Sequence, residues 1–148
     1  MPKHWWFGGF VASMSYPVSI SVCAIDDDSI DLKVIERVFM QTDRWDVQFF
    51  GFNESNSAMD SLARHSMDLI VVDYSLGCET GIDVLNRIRT AGVECPVIMV
   101  SGHDRKEIRE ECMQHGAVGY FVKGALDVPA MIDCVDDAIS KYSQLQSQ

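Results

Sequence analysis

The chain has no apolar run close to the roughly 18 residues that a membrane-spanning helix requires, so no membrane partner is expected. It has no CxxC pair either. Its five cysteines, Cys23, Cys78, Cys95, Cys112 and Cys134, are odd in number and widely spread. That pattern excludes a disulfide scaffold and a zinc site, and points to a reducing, cytoplasmic setting. Basic residues are scarce: 12 Lys and Arg stand against 22 Asp and Glu, for a formal net charge of −10. Such a surface repels phosphate backbones and excludes a nucleic-acid partner, while it accepts divalent cations or basic patches on other proteins. There is no internal repeat, long linker or second composition block. At 148 residues, with 47% hydrophobic and 23% charged side chains, the chain fits one domain with a full core.

Residues 1–16 (MPKHWWFGGFVASMSY) are set aside as a poorly ordered extension, because the apolar stretch Trp5–Ala12 is short and broken by Gly8 and Gly9 and lacks the length of a targeting segment. From there an alternation begins. Ser19–Ile25 reads as an apolar strand ending on Asp26-Asp27-Asp28, and a helix follows, capped by Asp28 or Ser29, with Ile30, Val34, Ile35 and Val38 at helical spacing. Trp45–Phe52 is a more polar, aromatic strand suited to an edge. A helix runs from Asn53 or Ser55 to about His65, with Ala58, Leu62 and Met59 inward. Leu69–Val72 is wholly apolar and β-branched, the mark of a strand buried on both faces, and it stops on Asp73.

Thr80 then caps a helix with the stripe Ile82, Leu85 and Ile88, and Gly92 ends it. Val97–Val100 is a fourth strand, stopping on Ser101-Gly102. Arg105–His115 is a charged helix with Ile108, Cys112 and Met113 to bury. Val118–Val122 is a fifth strand, stopping on Lys123-Gly124. Asp127 caps a last helix, with Pro129 in its first turn and Met131, Val135, Ala138 and Ile139 inward. The polar stretch Ser140–Gln148 is expected to fray. Residues 17–143 thus form the domain and 144–148 a polar tail. Five strands, each followed by a helix, imply an α/β fold: a doubly wound five-stranded parallel sheet with helices on both faces.

In such a sheet the carboxyl ends of the strands share one rim, where ligands bind. Asp26, Asp27, Asp73, Ser101 and Lys123 all belong to it. Clustered carboxylates repel and raise one another's pKa. A hard divalent cation such as Mg²⁺ resolves that repulsion and keeps waters to receive a phosphate. A lysine and a hydroxyl across the rim suit the oxygens of a phosphoryl group on an aspartate nucleophile.

From Ser19 to Ser143 this arrangement resembles the receiver domain of two-component response regulators. The matching features are Asp26-Asp27 after a hydrophobic strand, Asp73 ending LIVVD, Gly81 eight residues on, Ser101-Gly102 after VIMV, and Lys123 after GYFV. The resemblance implies a flavodoxin-like strand order 2-1-3-4-5. It implies Asp73 as phosphoacceptor, with Asp26, Asp27, Asp73 and the main-chain carbonyl of Ser75 as Mg²⁺ ligands. Ser101 would be the switch hydroxyl, Lys123 the phosphoryl ion pair and Tyr120 a switch aromatic. Phosphate would come from a histidine kinase or a histidine phosphotransfer protein. The output would pass to an unidentified protein target through the fourth helix, fifth strand and fifth helix, in a stand-alone, non-enzymatic regulator. Asp28 reads as a helix cap, Cys78 as an incidental loop cysteine and His103 as a solvated loop residue.

Two positions depart from that pattern. Gly124 follows the lysine where the family usually has proline, and Gly77 stands where the loop after the acceptor often has one, which predicts a looser loop. Three rivals remain. One is a haloacid dehalogenase-type phosphatase using Asp26, which leaves Asp73 idle. Another is a flavin-binding protein, for which IDDDS is a poor phosphate loop. The last is a receiver-like interaction module that is not phosphorylated.

Overall fold

The alternation of apolar runs and turn signals folds into one parallel sheet. The computed structural model describes residues 17–146, together with a short antiparallel pair, Trp6–Phe7 against Phe10–Val11. The expected extension over residues 1–16 otherwise lies outside the described residues, as do residues 147–148. Strand β1 is Val18–Ile25, followed by helix α1, Ser29–Gln41; β2 is Trp45–Phe52 and α2 Ser55–Leu62. Then come β3, Leu69–Asp73; α3, Gly81–Thr90; β4, Val97–Ser101; and α4, Lys106–Gln114. The last pair is β5, Gly119–Val122, and α5, Val128–Gln146. The five strands are parallel in the order β2-β1-β3-β4-β5, the doubly wound, flavodoxin-like arrangement that the alternation and the resemblance predict.

Period-two alternation divides the core between the two faces of the sheet. Cys23, Ile25, Ile70, Val72, Val97 and Met99 point to one side, where they meet Ala58 and Leu62 of α2, Leu85 and Ile88 of α3, and Cys112 of α4. Val22, Ala24, Leu69, Val71, Ile98 and Val100 point to the other, against Ile35 and Phe39 of α1 and Met131 and Val135 of α5. Every residue of β3 and β4 is buried. These two strands carry the apolar runs without a polar break because helices cover both of their faces.

The helix starts follow local chemistry. Asp28 caps α1, its carboxylate accepting from the Ile30 and Asp31 amides. Thr80 and Asp83 form a reciprocal capping box on α3. Asp127 caps α5, accepting from the Ala130 amide at 3.0 Å.

Four local expectations change. The inner stripe of α1 runs through Ile35 and Phe39, with Leu32 and Val38 beside it, while Ile30 and Val34 are exposed; Ile30 sits in the first turn, beyond the edge of the apolar layer. Helix α2 stops at Leu62, short of His65. Met113 of α4 is exposed, because Cys112 takes the single fully inward position. Helix α5 continues through Ser140 to Gln146; that stretch has no Gly or Pro, and its Lys, Gln and Leu are good helix formers.

Candidate functional site

The register brings the strand ends together. Ile25 pairs with Val72, so Asp26 and Asp73 are the next residues on adjacent strands. Asp73 pairs with Val100 and Ser101 with Val122, which places Ser101 one step past Asp73 and Lys123 one step past the end of β5. Asp26, Asp73 and Ser101 are the buried polar residues among those described. Asp27 is exposed beside them. Asp26, Asp27 and Asp73 each offer a carboxylate oxygen, all within 4.8 Å of one another. Hard oxygen donors at that spacing fit a divalent cation such as Mg²⁺.

Among the described residues, the cluster has one close counter-charge. The Lys123 ammonium lies 2.7 Å from Asp26, 2.8 Å from Asp31 and 3.3 Å from Asp73. Burial would lower its pKa, but hydrogen bonds to Asp26 and Asp31 and the charges of Asp26 and Asp73 outweigh that and raise it. Lys123 is therefore cationic. Asp73 is pushed up to about 6, first by burial and then by the charge of Asp26, against the opposing pull of Lys123 and the Ser75 amide. One ammonium shared among three carboxylates leaves Asp73 under-compensated.

The segment after Asp73 is held closely. Ser75–Leu76 pairs with Glu79–Thr80 as a small hairpin, and Gly77 turns it with a φ of +75°, a conformation that glycine takes without steric cost. The looser loop expected from Gly77 is thus a closed hairpin. Glu79 accepts from Ser55 and from Arg87, and Arg87 also reaches Asn56 at 2.7 Å, tying the hairpin to α2 and α3. Gly81 is required for a different reason. A Cβ there would stand 2.8 Å from the Asp73 carbonyl oxygen and 2.8 Å from the Met99 sulfur. The start of α3 rests directly on the backbone of Asp73.

On the other side, the Ser101 hydroxyl accepts from the His103 amide at 3.1 Å. Tyr120 is buried and donates its hydroxyl to the His103 carbonyl at 2.6 Å, with the Arg109 guanidinium 4.9 Å above its ring. The Lys123–Gly124 peptide is trans. Lys123–Ala125 forms a single 3₁₀ turn, and nothing lies within 4 Å of where a Gly124 Cβ would stand.

All the residues expected at the rim from sequence are there: Asp26, Asp27, Asp73, Ser101 and Lys123; Ser75 stands in the hairpin after Asp73, and Tyr120 lies within β5 opposite Met99. Sequence reading missed Asp31, Arg87 and Arg109. Asp31 looked like one of several polar residues on an amphipathic helix, and only its 2.8 Å contact with the Lys123 ammonium singles it out.

A five-stranded doubly wound domain with an acidic cluster and a lysine at the strand ends belongs to the class of α/β proteins that bind ligands at the carboxyl rim of the sheet. The profile of the response regulator receiver domain matches residues 22–136; the chain belongs to that family, whose members are signalling domains. It is 30% identical over 124 residues to the two-component response regulator ARR15 of Arabidopsis thaliana, covering 76% of this chain and 59% of that protein. It is 26% identical over 121 residues to the regulatory protein LuxO of Vibrio vulnificus, covering 82% of this chain and 26% of LuxO. The chain thus spans only part of either relative. Among solved structures, the receiver domain of Francisella response regulator 1452 superposes with a TM-score of 0.70 at 21% identity, over 83% of this chain and 98% of that one. A receiver domain from Clostridium thermocellum gives 0.75 at 20% identity, over 85% and 98%. These two likenesses concern the fold. The phosphatase and flavin readings give way to the family membership. Among the described residues, no helix is long and apolar enough to cross a membrane.

Proposed function

We propose that this chain is a phosphoacceptor receiver in which Asp73 takes a phosphoryl group from a phosphohistidine of a histidine kinase or histidine phosphotransfer protein. In the transfer, a carboxylate oxygen of Asp73 forms the new P–O bond as the P–N bond breaks, and the electron pair returns to the imidazole nitrogen. Asp26, Asp27, Asp73 and the Ser75 carbonyl would hold Mg²⁺, which supplies charge neutralisation at the transferring group. Lys123 adds a cation 3.3 Å from Asp73, and for phosphoryl transfer such positioning and electrostatics are the main contribution a protein makes. The Ser101 hydroxyl, one step along the adjacent strand, is the hydrogen-bond donor for a phosphoryl oxygen. Tyr120, linked to the β4–α4 loop through His103, would convey its movement to the face made by α4, β5 and α5. There a protein target in the same cytoplasmic compartment would read it.

The observation that carries this reading is the convergence of three carboxylate oxygens within 4.8 Å, with Lys123 3.3 Å from Asp73. The test is incubation with acetyl phosphate and Mg²⁺, followed by phosphate-affinity electrophoresis and phosphotransfer profiling against the host's histidine kinases and phosphotransfer proteins. Labelling that needs Mg²⁺ and vanishes in Asp73→Asn supports the reading. Absence of label on Asp73 from any donor would favour the non-phosphorylated interaction module instead.

A further inference from the structure

Lys123 is divided unequally among its partners. Its contacts with Asp26 and Asp31, at 2.7 and 2.8 Å, are shorter than the 3.3 Å to Asp73. Asp26 and Asp73 belong to the carboxylate cluster itself. Asp31 does not; it stands in the first turn of α1, with its side chain 36% exposed. Water therefore reaches the Asp31 side of the contact with Lys123. A cavity of about 90 Å³, lined by Asp31, Val34, Ile35, Lys123 and Leu126, lies against this pair. This cavity borders Lys123 on its α1 side and is lined by none of the rim carboxylates.

We propose that Asp31 is a positioning residue for phosphoryl transfer: it anchors the Lys123 ammonium toward α1 and competes for it with a phosphoryl group on Asp73. The proposal rests on the reading of Asp73 as phosphoacceptor. An ammonium has three N–H donors, and here three carboxylates take them. An arriving phosphoryl group, itself doubly charged, must draw Lys123 from a partner that holds it by a charge-assisted bond. Asp31 also adds one more negative charge facing the same site. Removing that charge while keeping the side-chain shape frees the lysine and lowers the repulsion together.

The test compares beryllofluoride binding in the presence of Mg²⁺, by calorimetric titration, with the rate of acetyl-phosphate labelling against donor concentration. Asp31→Asn should bind beryllofluoride roughly three- to tenfold more tightly than the native chain and label faster by a similar factor. Asp31→Glu, which restores the charge, should fall back toward native values. Glu36→Gln, which removes a charge from the exposed side of α1 without touching Lys123, should leave both unchanged. A purely structural role for the Asp31–Lys123 bond would lower stability without tightening the phosphoryl analogue. If Asn perturbs α1, Asp31→Ser serves in its place. Affinity no tighter than native in the neutral variants, or an equal gain in Glu36→Gln, overturns the proposal. Failure of the native chain both to bind beryllofluoride and to label at Asp73 overturns the phosphoacceptor reading, and this inference with it.

Discussion

Replacing Asp73 by asparagine should make the metal-free protein more stable, although it removes a buried ion-pair partner. Asp73 is 4% exposed, next to Asp26, and both share Lys123 with Asp31. Its pKa rises from 3.8 to about 6, a shift of roughly two units at about 1.4 kcal/mol each, or about 3 kcal/mol as an upper bound. Exposed Asp27 keeps the rim open to water, which reduces the net penalty of the charge to about 1–2 kcal/mol. Asparagine still accepts from the Ser75 amide and leaves Lys123 with two carboxylates. At about pH 7.5 in EDTA, Asp73→Asn should therefore gain about 1–2 kcal/mol, read as an increase of roughly 3–8 °C in Tm or a higher urea midpoint.

The pH dependence follows from linkage. Below about pH 4 the Asp73 carboxyl is protonated in both folded and unfolded chains, and the variant gains nothing. Between about 4 and 6 the folded chain holds a proton that the unfolded chain has shed, so native stability falls as pH rises and the advantage of asparagine grows. Above about 6 the advantage is constant. Mg²⁺ should stabilise the native chain more than the variant and so narrow the gap. A variant no more stable than the native chain in EDTA, or an advantage equally large near pH 4, would refute the claim that Asp73 is under-compensated.

Gly81→Ala should lower stability by about 1–3 kcal/mol in urea unfolding, since its Cβ meets backbone and the Met99 sulfur at 2.8 Å and overpacked sites cost about that much; an unchanged midpoint would mean that α3 moves away without cost. Tyr120→Phe should lose about 1 kcal/mol with the hydroxyl bond to His103, detectable in thermal unfolding, while a neutral result would show that water replaces that bond. Among the cysteines, exposed Cys78 should be alkylated first by iodoacetamide in the native protein. Buried Cys23, Cys95 and Cys112, with thiols pushed up to about 12, about 11 and about 11 by burial, should react only on unfolding. Peptide mass mapping checks the order, and early labelling of Cys23 would contradict the packing of β1.

Legible in the sequence were the alternation of strands and helices, the burial of LIVVD and VIMV, the caps Thr80 and Asp127, the choice of Asp28 or Ser29 as the first cap, and the rim residues Asp26, Asp27, Asp73, Ser101 and Lys123. These were legible because they depend on local chemistry: period-two burial, side chains that satisfy helix amides, and polar residues where an apolar run stops. The inner stripe of α1 was only half legible. Periodicity finds a face, but how far that face extends depends on where the sheet ends beneath it, and Ile30 lies beyond it. How the charges at the rim are shared could be seen only in the folded chain. Asp31 and Lys123 are 92 positions apart, and no local pattern links them. Nor does any local pattern show that Gly81 must lack a side chain because Met99 lies behind it, or that Arg87 ties the hairpin after Asp73 to α2. Electrostatic balance and steric contact depend on distances between segments far apart in the chain, and those distances exist only once the sheet has formed.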